Sequence, residues 1–209
     1  MEHLEFTHHA TTKSATIQYT VEMCLAKPGA CASYEEKENF DNLCKTGCPN
    51  YGHKWSCPPF APLFGDFAAK WQRLYIIFAH ADLAQFSYIK NDYLKVKAAN
   101  SILKSRADRF IRQMASLHGS SISTGSCRLC KPCRRKIGMP CAHPDLMAYS
   151  FEALGVNVGR MVQACFQKPL LWYQKKNPPQ YTSVVCGILT NEELSLEYLQ
   201  ESYLKYIVD

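Results

Sequence analysis

Seven cysteines in two short segments carry the strongest chemical signal in this chain. Cys127, Cys130 and Cys133 stand at two-residue gaps, and Cys141 follows a short loop later, ahead of Pro144. A strand would throw successive side chains to opposite faces, and a regular helix would leave no room inside for an ion. An irregular loop curled round a metal ion or cluster uses all four thiols. Iron–sulfur ligation has this logic: bacterial ferredoxin runs also set cysteines at two-residue gaps, with a last one before proline. The run here differs in its longer gap to Cys141 and in Ala142 and His143 before the proline. In the second segment Cys44, Cys48 and Cys57 stand among Gly47, Pro49, Gly52, Pro58 and Pro59. That composition excludes regular structure, and the two prolines stiffen the chain just after the last thiol. Tyr51, Trp55 and Phe60 could shield a cluster from water, or pack in an ordinary core.

Softness alone does not separate the metals, because thiolates suit both zinc and iron–sulfur centres. Zinc sites usually take two ligand pairs. Three closely spaced thiols with three more elsewhere favour a cluster of several irons, of the 4Fe-4S type, with zinc as the alternative. Seven thiols fall one short of two four-cysteine sites. Cys24, Cys31, His53 or His143 could supply an eighth ligand, or one iron could stay open. By analogy with two-cluster ferredoxins, Cys57 could complete the Cys127, Cys130 and Cys133 group, with Cys141 joining Cys44 and Cys48.

Three uses follow from such a centre. Electron transfer needs only a cluster and a docking surface. Arg128, Lys131, Arg134, Arg135 and Lys136 would raise the cluster's potential and steer an acidic redox partner protein, unless they are simply a solvated rim. A zinc-stabilised interaction module is the second use. A reductase or sulfur-handling enzyme with an open iron is the third, and for it Tyr51, His53 and His143 are candidates by position only. The sequence has no glycine-rich phosphate loop, nucleophile signature or carboxylate pair at telling spacing. Nucleic-acid binding ranks last, since the basic stretch is broken by cysteines and lacks a helix-turn-helix or stacking platform.

The elements that must position these loops are read from periodicity. Residues 1–15 read as a loose lead-in. Thr16 to Leu25 alternates as a strand, and Pro28-Gly29 as a turn. Ser33 to Glu36 reads as a capping box opening a helix that ends near Cys44, with Gly47 to stop it. Arg73 to Ala79 is apolar and β-branched enough for an inner strand. Apolar residues from Leu94 through Ala98, Ile102, Phe110 and Met114 to Leu117 predict a long helix whose stripe is core, stopped at Gly119. Ser120 to Thr124 is a short strand candidate. Ser150 to Gly155 reads as one capped turn, and Asn157 caps a second helix. Tyr181 to Leu189 is the last strand, and Thr190 to Glu193 a second capping box, opening a C-terminal helix within 190–209. The expectation is a single α+β domain over 1–209: a small sheet, one long helix packed on it, and cysteine-rich loops binding metal.

Composition bounds the rest. An apolar fraction of 47% with twelve tyrosines and ten phenylalanines describes a globular chain, not a disordered one. The charge of +6 is moderate, and much of it lies in the second cysteine loop. No run of ~18 apolar residues could span a membrane, and no secretory signal is visible. Eleven cysteines is an odd number, and a chain this long needs no disulfide staples. Ligand cysteines in a reducing cytoplasm are the better reading.

Taken together, the segments resemble a known family. The matching pieces are Cys44, Cys48-Pro49-Asn50-Tyr51, Trp55-Ser56-Cys57-Pro58-Pro59, the Cys127, Cys130 and Cys133 run, Pro140-Cys141 with His143-Pro144, and Ser150, Glu152-Ala153 and Gly155 to Val158. They resemble the predicted metal-binding proteins grouped as domain of unknown function 2284, from about Cys44 to Leu189. The resemblance implies metal, in the form of iron–sulfur clusters, held by Cys44, Cys48, Cys57, Cys127, Cys130, Cys133 and Cys141, in a redox setting. It carries over no catalytic residue. Cys24, Cys31, Cys165 and Cys186 lie outside the shared signatures, and Cys165 and Cys186 are expected to be small buried apolar residues.

Overall fold

The architecture comes from a computed structural model that describes residues 2–175 and 177–207. It is an α+β fold built on a five-stranded antiparallel sheet. The strands are β1 (His3–Thr11), β2 (Thr16–Ala26), β3 (Arg73–Asp82), β4 (Gly119–Ile122) and β5 (Tyr181–Thr190), in the order β1-β2-β3-β5-β4. The helices are α1 (Pro28–Ala32), α2 (Lys37–Gly47), α3 (Phe64–Ala68), α4 (Asp92–His118), α5 (Val158–Phe166) and α6 (Leu196–Tyr206). The inner strand β3 shows why the sheet holds two layers apart. Tyr75 and Ile77 face α4 and α6, packing with Phe110, Met114, Leu199 and Tyr203. Leu74, Ile76 and Phe78 face the other way, against Phe64, Phe151, Leu154 and Met161. A strand buried on both faces reads as a continuous apolar run, as β3 does.

Several local expectations are corrected. The supposed lead-in is an edge strand: His3–Thr11 pairs with β2 from His3 opposite Cys24 to Thr11 opposite Thr16. Alternation of Leu4, Phe6 and Ala10 with polar residues was its signal, and Leu4 and Phe6 pack against the core. Met1, and residues 208 and 209 at the end of the expected C-terminal helix, lie outside the described residues. Pro28 opens α1 instead of a turn, at a position where its missing N–H is harmless. Neither capping box forms. Ser33 closes α1 and bonds Ala30 O, and Glu36 is the uncapped start of α2. Thr190 still belongs to β5, and Ser195 caps α6 by accepting from Tyr198 N–H at 3.1 Å. Asn157 does cap α5, accepting from Arg160 N–H. On α4, Leu103, Phe110, Ile111 and Met114 are core, but Leu94 and Leu117 at its ends are half exposed.

Two glycines are required by geometry. At Gly119, between α4 and β4, a Cβ would lie 2.1 Å from Leu189 O. Gly155 has φ +85°, and a Cβ there would meet Lys37 Cα at 2.9 Å. Its carbonyl accepts from Glu36 N–H at 2.7 Å, which docks the start of α2, and so the first cysteine segment, onto the turn at 150–155.

Candidate metal centre

The first cysteine segment is a helix end followed by a string of turns. Cys44 lies in the last turn of α2, not on a loop as its neighbours suggested, and Cys48 caps the helix, its N–H bonding Cys44 O at 3.0 Å. Turns then run Cys48 to Tyr51, Asn50 to His53 and Lys54 to Cys57, and Gly52 N–H donates to Pro58 O at 2.9 Å. Cys57 is buried, and burial pushes its thiol up to about 11, with Ser56 opposing and Cys48 and Cys44 adding to the rise. Burial and then the neighbouring Cys48 raise Cys44 likewise. Cys48 therefore stands near enough to both Cys44 and Cys57 to disfavour their charge. A bound cation reverses that balance.

The second segment hangs from the sheet edge. Its two ends are pinned where Ile122 bridges to Tyr149 and Ser123 N–H donates to Tyr149 O at 2.7 Å. Between these pins Cys127, Cys130, Cys133 and Cys141 line one small cavity of about 20 Å3, with His143, Trp55 and Ser56. All four thiols are half-buried. Asp108, near the middle of α4, accepts from both Thr124 N–H (3.1 Å) and its hydroxyl (2.9 Å), which fixes the entry to the loop.

Three consecutive residues stitch the two segments together. Lys54 Nζ donates to Ser126 Oγ and Cys127 O, both at 2.9 Å. Trp55 Nε1 donates to Met139 O at 3.0 Å. Ser56 Oγ accepts from Cys127 N–H at 3.0 Å. From the other side the Arg135 guanidinium lies 4.5 Å over Phe60 and 5.3 Å from Trp55, whose rings meet edge-on at 4.9 Å. Such cation–π contacts each contribute about 0.5–2 kcal/mol. Trp55 and Phe60 thus wall the seam.

The structure brings Cys141 to the cavity of Cys127, Cys130 and Cys133, and keeps Cys57 beside Cys44 and Cys48. The crossed pairing drawn from ferredoxins is not the one seen. Of the candidates for an eighth ligand, His143 lines the four-thiol cavity. Cys24 and Cys31 do not join either group. They lie in the core beneath α5 together with Met161 and Cys165, where Cys31 Sγ donates to Met161 Sδ at 3.1 Å. A hydrogen bond to Cys165, then burial, hold the Cys24 thiol far above its ordinary value, and burial pushes Cys31 up to about 12. Cys186 is fully buried on β5 as expected, but Cys165 is only half-buried.

One polar cluster escaped the reading of the sequence. Glu22 is 1% exposed on β2 and accepts from Lys168 Nζ at 2.7 Å. His3 Nε2 and His80 Nε2 each stand 3.1 Å from its carboxylate. A charged residue inside an apolar strand was the available signal. The partners come from three distant segments and carry no spacing that links them.

Among the described residues no three His, Cys, Asp or Glu side chains converge closely enough to grip a single ion. The chemistry of the donor set still fits a thiophilic metal: four thiols on one cavity, stiffened by the seam and shielded by Trp55. The family described as a predicted metal-binding protein (DUF2284) matches residues 27–189. The chain belongs to that family of predicted metal-binding proteins. No curated protein and no solved structure matches it. Among the described residues no helix is long and apolar enough to cross a membrane.

Proposed function

We propose that the bound metal is an iron–sulfur cluster of the 4Fe-4S type, held by Cys127, Cys130, Cys133 and Cys141, with Cys44, Cys48 and Cys57 ligating a second centre. The observation that carries this reading is the set of four thiols lining one cavity. In a cluster each of the four thiolates takes a different iron. When bound, a cluster supplies one-electron chemistry whose potential depends on burial and on hydrogen bonds near its sulfurs. The protein is then an electron carrier or redox protein of the cytoplasm. Lys131, Arg134 and Lys136 are exposed beside the cavity and suit an acidic redox partner.

A zinc-stabilised interaction module is the second reading, favoured by the cavity's size. At about 20 Å3 it has room for one water-sized occupant, so a cluster requires the half-buried thiols to move outward. Anaerobic purification followed by iron, sulfide and zinc analysis and electron paramagnetic resonance decides between them. Iron and sulfide in comparable amounts with a reducible signal support the cluster. A colourless protein with stoichiometric zinc overturns it.

A further inference from the structure

Beside the cysteine loops lies a cavity of about 470 Å3, within the range of small-molecule sites. It is bounded by α4, by β5 and by the chain from Leu170 to Tyr173. The fold creates it because β4 is short: β4 pairs only with residues 187–190 of β5, so Thr182 to Val185 face the gap that a longer β4 would fill. Asn100 on α4 orders this floor, its Nδ2 donating to Ser183 O at 3.1 Å and to Thr182 Oγ1 at 3.3 Å.

The lining has two chemistries. Lys97 and Lys104 from α4 and Arg128 from the cysteine loop bring three positive charges against one carboxylate, Glu152. Leu170, Leu171 and Trp172 supply an apolar wall. Lys104 makes no hydrogen bond or ion pair among the described residues, and burial followed by the Arg128 charge lowers its pKa. Arg128 stands 4.0 Å from Asp108, too far for a hydrogen bond. Lys104, held partly out of water without a bonded counter-ion, carries a desolvation cost that an entering anion would offset, and the half-exposed Arg128, paired only at 4.0 Å with Asp108, adds a second positive charge at the rim.

We propose that this cavity binds a small organic anion, with its carboxylate or phosphate against Lys104 and Arg128 and its apolar body against Leu170 and Trp172. Arg128 lies between Cys127 and Cys130, so the occupant stands next to the four-thiol cavity and would be the substrate or effector of the centre there. That role rests on the metal reading above, whereas the binding itself does not.

Phenyl phosphate, benzoate and the neutral benzyl alcohol, titrated into the full chain by calorimetry and saturation-transfer NMR, test the proposal. Bound metal is measured in each sample. One anion per chain should bind saturably, and the tighter of the two names the headgroup. Benzyl alcohol should bind about 10–100-fold more weakly, the worth of hydrogen bonds to a charged group. Lys104→Met should weaken the anions by a similar factor while leaving metal content unchanged, and Lys90→Met, at an exposed position, should change neither. Absent saturable binding, equal affinity for charged and neutral probes, or equal loss in both variants would overturn the proposal. The charged-against-neutral comparison on the unaltered protein decides even if Lys104→Met does not fold. Anion binding by a chain that proves to hold no metal would leave the cavity standing and remove the metal reading instead.

Discussion

The same residue type meets two different environments in two regions of this molecule. In the loops, seven cysteines are tied to turns, a helix end and a hydrogen-bonded seam, and six of the seven are half-buried. In the sheet's core, Cys24, Cys31 and Cys186 are sealed from water, and burial contributes to raising each of their thiols. A thiolate is the form a metal needs. The core seals its thiols in apolar packing, whereas six of the seven loop thiols stand where a cation can reach them; Cys57 is the exception, buried and pushed up to about 11. Position in the fold, not residue type, separates the proposed ligands from the packing cysteines.

That contrast can be broken from either side. Cys130→Ser should have the largest effect: metal retention against a chelator should fall by at least about 100-fold, more than the 10–100-fold typical of losing an outer-layer partner, with the sheet intact by circular dichroism. Ser56→Ala removes the acceptor for Cys127 N–H and should lower metal retention by about tenfold, measured the same way. Cys186→Ser reverses the pattern. A hydroxyl at that fully buried position should cost about 1–2 kcal/mol in urea unfolding and leave metal per folded chain unchanged. Metal loss from Cys186→Ser, or none from Cys130→Ser, would dissolve the distinction.

The smallest effect belongs to the Glu22 cluster. Burial lowers the His80 pKa despite its Glu22 partner and with help from Lys168. A histidine whose folded pKa is depressed stabilises the fold fully above its unfolded pKa of about 6.5 and loses that contribution as pH falls through the folded value. Unfolding midpoints of the metal-free protein should therefore fall more steeply below about pH 6.5 than those of His80→Gln. Parallel curves would mean that His80 does not carry this pH dependence.

How much was legible follows from how far each signal reaches along the chain. The strands β2, β3 and β5 and the long α4 were readable because their periodicity is local and repeated. β1 was missed because three histidines and two threonines mask a weak alternation, whose apolar partners lie on β2 and α6. Both capping boxes failed for one reason: the motif fixes a local option, and tertiary contacts chose another. Glu36 is drawn to Arg160 at 3.0 Å, and Thr190 is held in the ladder opposite Arg73. The cysteine segments were visible from composition. Their grouping was not, because it depends on the pin at Tyr149 and on the three cross-links from Lys54, Trp55 and Ser56.

A thiolate centre built from the second cysteine loop would show itself in the atoms around the metal. X-ray absorption at the edge of whichever metal copurifies tests it most directly. Sulfur should be the metal's nearest neighbour, at about 2.3 Å if the metal is zinc, and should be lost in Cys130→Ser. A first shell dominated by nitrogen or oxygen, unchanged in that variant, would contradict it.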